Sequence, residues 1–137
     1  MKVVLDTNSL LQIVFPRARY KEVWDALIDQ KYTICLTNDI LMEYREILER
    51  RFNDVQFAEN VIEAILSIPN VEHVNPTYRL NLITADPDDN KFVDCAIIAG
   101  ATYIVSNDRH FQELERYDFP KVDVCTLSEF LDIVKSL

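Results

Sequence analysis

The sequence predicts an α/β fold in which a central parallel sheet is covered by helices on both faces. Short apolar runs rich in β-branched residues alternate with segments of helical periodicity, which implies right-handed crossovers between parallel strands. The first such run, Val3 to Leu5, stops abruptly on a carboxylate, Asp6, and is followed by the start of a helix. In open α/β sheets ligands sit outside the carboxyl ends of the strands, so Asp6 stands where chemistry is usual. A single glycine in 137 residues argues against a Gly-rich phosphate loop and against a turn-dense all-β fold.

The elements follow in order. Residues 3–5 form the first strand. Residues 8–15 form a helix that stops before Pro16, and residues 20–30 a second, with Val23, Trp24, Leu27 and Ile28 at helical spacing. Residues 32–36, YTICL, form the second strand. Thr37, Asn38 and Asp39 offer N-caps for a helix over 40–52. A helix over 55–68 is closed by Pro69, and a short strand covers 71–74. Residues 75–90 lack a period and contain Pro76 and Pro87, which predicts a loop. A helix over 91–99 ends on Gly100, the residue type suited to a left-handed C-terminal position. A strand over 103–105 runs into Ser106-Asn107-Asp108. A helix over 110–117, a strand over 122–125 and a helix over 127–134 complete the chain.

Composition bounds the function. The length fits one domain spanning residues 1–137 with a sizeable core. Apolar residues make up 49%, which excludes a disordered chain. No stretch is long and apolar enough for a membrane span, and no secretory leader opens the sequence. Cys35, Cys95 and Cys125 are odd in number, far apart and set in apolar runs. They read as buried reduced thiols, which fits a cytoplasmic protein. A net charge of −9 counts against a broad phosphate-binding surface but not against a carboxylate metal site, which is negative until its cations arrive.

Carboxylates fall at four places on one side of the predicted sheet, where strand carboxyl ends and helix N-termini meet. Asp6 ends the first strand, and Glu43 lies in the first turns of the helix after the second. Asp86, Asp88 and Asp89 precede the helix that carries Asp94, and Asp108 ends the strand at 103–105. Two carboxylates about 4 Å apart repel by roughly 4 kcal/mol at an effective dielectric of about 20. A proton or a cation must offset that, and oxygen-only donors suit Mg²⁺ or Mn²⁺ rather than zinc. Such a metal-free cluster is expected to show raised pKa values through like-charge repulsion.

These residues resemble a PIN domain. The resemblance rests on LDTN at the start, the Glu of NDILMEY, and the block DPDDNKFVDCAIIAGATYIVSND with the DRHF that follows it. It covers essentially the whole chain and is closest to the VapC-like toxins of toxin–antitoxin pairs. It implies a three-layer α/β/α sandwich, metal-dependent cleavage of single-stranded RNA, homodimers and inhibition by an antitoxin protein. Carried over residue by residue, Asp6, Glu43 and Asp108 match three family acids. Asp89 is favoured as the fourth, with Asp94 an added group at or just behind the metal. Asn8 and Ser106 match polar positions lining the pocket, and Asn90 adjoins Asp89.

Each feature has a plainer reading. Asp6 and Asp108 can be helix caps, Glu43 a solvated helix residue, and the Asp86–Asp89 stretch a loop with a cap, of which only one Asp is expected to bind metal. Asp94 is flanked by Val93 and Cys95, where an unpaired buried carboxylate is costly. His110 reads as an exposed first-turn residue, Lys91 as solvated, His73 as structural, and Trp24 and Tyr44 as core. Arg17, Arg19 and Lys21 are equally a solvated turn or a phosphate contact. Arg45, Arg50 and Arg51 read as solvent-facing or paired with Glu46 and Glu49.

Among function classes, a phosphatase working through an aspartyl phosphate needs an Asp at position 8, where Asn8 stands. A receiver domain needs a Lys where Cys125-Thr126 stands. A non-catalytic PIN-like module that binds RNA or protein predicts a gap among the acids. An RNA-processing nuclease without an antitoxin differs from a toxin only in its genomic neighbourhood.

Overall fold

The structure, a computed structural model, describes residues 1–76, 83, 87–116 and 122–137. Five strands run β1 (Lys2–Leu5), β2 (Thr33–Leu36), β3 (Val71–His73), β4 (Tyr103–Val105) and β5 (Asp123–Cys125). All pair in parallel, in the order β3-β2-β1-β4-β5. The helices are α1 (Thr7–Val14), α2 (Lys21–Ile28), α3 (Asn38–Phe52), α4 (Val55–Ser67), α5 (Asn90–Ala99) and α6 (Leu127–Lys135), with 3-10 helices at Pro87–Asp89 and Arg109–Arg116. Strand order proceeds from β1 through β2 to β3, then returns to the other side of β1 for β4 and β5. Right-handed crossovers running in opposite directions place their helices on opposite faces. This is the α/β sandwich that the alternating pattern predicts.

The central strand is dry because Val3, Val4 and Leu5 lack any solvent exposure, as do Ile34, Cys35, Leu36, Ile104 and Val105 on its neighbours. Continuous apolar runs of this kind suit a sheet covered on both faces. Helices α3, α4 and α6 start where capping residues stand. Thr37 Oγ1 accepts from Ile40 N at 3.1 Å, Asp54 Oδ1 accepts from Phe57 N at 3.0 Å, and Thr126 forms a capping box with Glu129. Gly100 ends α5 at φ 67°, a left-handed conformation that suits glycine.

Two predicted elements differ. The helix expected over 110–117 is a 3-10 helix, Arg109–Arg116. Its buried residues Phe111 and Leu114 are three apart, which matches three residues per turn and not 3.6. The loop expected over 75–90 contains the Pro87–Asp89 3-10 turn, and Asn90 already belongs to α5. Most of that loop, Asp86 included, and residue 117 lie outside the described residues.

Candidate metal centre

The strand order reverses between β1 and β4, and the crevice outside the carboxyl ends of those strands is the expected ligand position. Asp6 directly follows β1 and Ser106 directly follows β4. Asp6 is the N-cap of α1. Its Oδ1 accepts from Ser9 N at 2.7 Å, and Ser9 Oγ donates to Val105 O at 3.0 Å. Its other oxygen accepts from Ser106 Oγ, which itself accepts from Asp108 N at 2.9 Å. A chain of short polar links thus ties Asp108 to Asp6 across the crevice. Asp6 is buried, and burial raises its carboxyl above the usual 3.8. The hydrogen bonds from Ser106 and Ser9 oppose that shift, and the charge of Asp108 adds to it. The anticipated like-charge repulsion is present but is secondary to desolvation.

Asp89 occupies the N-cap of α5 without making a side-chain capping bond. Its Oδ2 lies 3.5 Å from His110 Nδ1, and the same nitrogen lies 3.3 Å from Asp108 Oδ1. Donor atoms of Asp89, Asp108 and His110 all lie within 4.8 Å of one another. Asp108 also caps the 3-10 helix after it, accepting from His110 N at 2.9 Å. His110 is therefore half-buried between two acids and not the exposed residue the sequence suggested. The Asp108-Arg109-His110 spacing was the available signal, but an ideal α-helix would turn the ring elsewhere.

Glu43 reaches the same end of the sheet from α3. One carboxylate oxygen accepts from Thr7 Oγ1, beside Asp6, and the other pairs with Lys91 Nζ at 2.7 Å. Lys91 is thus a partner of a site acid, which corrects its reading as a solvated side chain. Its α-helical position, one residue after Asn90, turns it toward α3. Buried Asp94 lines a cleft of about 630 Å³ together with Glu43, Lys91, Asn90 and Asp88. Asn90 is buried too, and its amide is committed to the backbone: Nδ2 donates to Ile83 O and Oδ1 accepts from Ile83 N, each at 2.8 Å. It clamps the chain ahead of α5 and does not face the acids freely.

On the other flank, Asn8, Asn107 and Asp108 line a groove with Leu11, Gln12 and Arg51. The last three also line a second groove with Phe15, Arg19, Tyr20 and Phe52. The two form one track from Asp108 past Arg51 to a stacked ring pair, Phe15 and Phe52, whose centroids are 5.9 Å apart. Arg17 and Arg19 are exposed, the latter 5.3 Å over the Tyr20 ring, and Lys21 pairs with Asp25 at 3.0 Å. Among the described residues, these contacts tie Arg19 and Lys21 to their own neighbourhood and not to Asp6 or Asp108. Arg50 pairs with Glu46 as expected, at 2.7 Å. Arg45 instead pairs with Glu59 of α4, at 3.0 Å. Tyr44 is core, its hydroxyl donating to Leu5 O, and Trp24 packs half-buried against the core.

The sequence matches the PIN domain family over residues 2–110, a span holding Asp6, Glu43, Asp89, Asp94 and Asp108. The chain belongs to the PIN domain family. PIN domains are usually metal-dependent nucleases, which accounts for acids gathered at the switch point of this sheet. No curated protein matches the sequence. Among solved structures, the crystal structure of PAE2754 from Pyrobaculum aerophilum resembles this PIN domain with a TM-score of 0.59 at 16% identity, covering 100% of each chain. That likeness is one of fold. The donors of Asp89, Asp108 and His110 fit a divalent cation: they lie within 4.8 Å of one another, and the solvent-shielded Nδ1 of His110 between the two carboxylates makes no hydrogen bond.

Proposed function

We propose that this PIN domain, residues 1–137, is a Mg²⁺- or Mn²⁺-dependent endoribonuclease that cuts single-stranded RNA, with Asp6, Glu43, Asp89, Asp94 and Asp108 holding the metal. The observation that carries it is the convergence of Asp6 and Asp108 at the switch point, linked through Ser106, with Asp89 beside Asp108. The chemistry a divalent cation supplies when bound is activation of a water and neutralisation of charge at the phosphate. The chain's own residues fix the geometry. Ser9 and Ser106 orient the two oxygens of Asp6, and His110 N holds Asp108. Thr7 orients one oxygen of Glu43, and Lys91 balances its charge until a cation takes it. Nothing among the described site residues forms a Ser/His or Cys/His nucleophile pair, so hydrolysis by water is favoured over a covalent intermediate.

Single strands fit better than duplexes, because a recessed crevice is reached more easily by a phosphate on a flexible chain. The sequence motifs favour the VapC-like toxin branch, and with it a homodimer, an inhibitory antitoxin and a cytoplasmic location. A small adjacent gene whose product abolishes the activity would support that role, and its absence would favour RNA processing. The direct test is cleavage of an internally labelled single-stranded RNA. Activity is expected with Mn²⁺ or Mg²⁺, none with EDTA, and a loss of at least about 100-fold in Asp108→Asn, on the scale of removing one electrostatic catalytic group. Equal, metal-independent cleavage by both proteins would overturn the proposal in favour of a PIN module that only binds.

A further inference from the structure

The ring of His110 is in a position that hydrogen bonding does not explain. Its Nδ1 is shut off from solvent and makes no hydrogen bond, yet it faces Asp108 Oδ1 at 3.3 Å and Asp89 Oδ2 at 3.5 Å. Good N–H···O bonds are shorter, roughly 2.7–3.2 Å. Neighbouring donors around one small octahedral cation, each at about 2.1 Å from it, stand about 3 Å apart, and opposite donors about 4.2 Å. The spacing of these three groups falls near that pattern. The ring is also held in place. His110 N donates to the carboxylate it faces, and Phe111, next in the chain, is fully packed in the core.

We propose that His110 gives the cation at Asp89 and Asp108 a nitrogen donor through Nδ1, and that this makes the centre select Mn²⁺ over Mg²⁺. This inference rests on the metal-dependent reading above but not on the identity of the substrate. Oxygen-only sites suit Mg²⁺, whereas imidazole favours first-row transition ions. A neutral ring accepts the metal at one nitrogen and keeps its proton on the other.

The test is pulsed electron paramagnetic resonance on the full chain loaded with Mn²⁺ alone. The chain has two histidines, His73 and His110, so the source of a nitrogen coupling can be assigned. Imidazole ¹⁴N modulation is expected in the wild type, retained in His73→Ala and lost in His110→Ala. The Mn²⁺ dissociation constant should rise about tenfold or more in His110→Ala, with Mg²⁺ affinity little changed. His110→Gln serves if the alanine variant fails to fold, and the wild-type and His73→Ala spectra decide without either. Absence of ¹⁴N modulation in the wild type, as for an imidazolium merely paired with the acids, overturns the proposal. So does modulation that survives in His110→Ala. RNA cleavage without nitrogen coupling would defeat this inference and leave the ribonuclease reading standing; coupling without cleavage would do the reverse. A chain that takes up no Mn²⁺ defeats both.

Discussion

Asp6 shows how one residue links folding to ligand binding. Its folded pKa is raised, chiefly by burial. The folded state therefore binds that proton more tightly than the unfolded chain does. The resulting stabilisation is complete below the unfolded value near 3.8 and is lost as pH rises through the folded value. At neutral pH, ionised Asp6 destabilises the metal-free fold. Asp6→Asn, which keeps an acceptor for Ser9 N, should melt at a higher temperature than the wild type at pH 7 without metal. The gap should close as pH falls below about 4, by the same linkage. With Mn²⁺ the order should invert, because the wild type gains binding energy and the variant gains less. Equal Mn²⁺-induced shifts for the two proteins would argue against Asp6 as a ligand. At this scale the sequence was a partial guide. Asp6 and Asp108 were legible because each ends an apolar strand. His110 and Lys91 were not, since their roles depend on side-chain directions set by a 3-10 helix and by the approach of α5 to α3.

Among the elements, α5 and α3 meet through the Lys91–Glu43 ion pair. The pair is partly exposed, so Lys91→Ala should cost less than about 1 kcal/mol in chemical denaturation of the metal-free protein. Its effect on metal binding should be opposite in sign. A cation taking Glu43 competes with the ammonium, so titration calorimetry should show tighter Mn²⁺ binding in Lys91→Ala. Weaker binding would mean that Lys91 chiefly orients Glu43. If the proposed ribonuclease reading holds, a strand lying in the track between α1 and the C-terminal end of α3 would meet Arg51 and the exposed face of Phe15. Arg51→Ala should raise KM for RNA several-fold, leave kcat near the wild-type value, and lower the salt dependence of binding by about one unit of log–log slope. An unchanged slope would remove Arg51 from the substrate path. Helix amphipathicity alone could not place Arg51 in this track, because it looks like any solvated position on α3 until α1 is placed beside it.

For the whole molecule, the parallel sheet was readable because its strands are unbroken apolar runs separated by helical periods. Strand order was not, since it depends on which edges pair once the chain has collapsed. The reversal between β1 and β4 is nevertheless what brings residues 6 and 108, about a hundred positions apart, into one hydrogen-bonded chain. The three cysteines have a practical consequence. Cys35, Cys95 and Cys125 are free and buried. Burial pushes the thiols up, that of Cys35 to about 11 and that of Cys125 to about 12. Cys95 is raised as well, also chiefly by burial. The thiolate is the reactive form, so an alkylating reagent at neutral pH reacts only when the chain opens. The thiols sit on β2 beside the central strand, on α5, and on β5 at an edge of the sheet. Mass-resolved alkylation therefore acts as a three-channel clock for opening. Equal rates at the three sites would report a single cooperative event. A faster rate at Cys125 would show the β5 edge peeling away first. Saturating Mn²⁺ should slow every channel that opens the centre at Asp6 and Asp108.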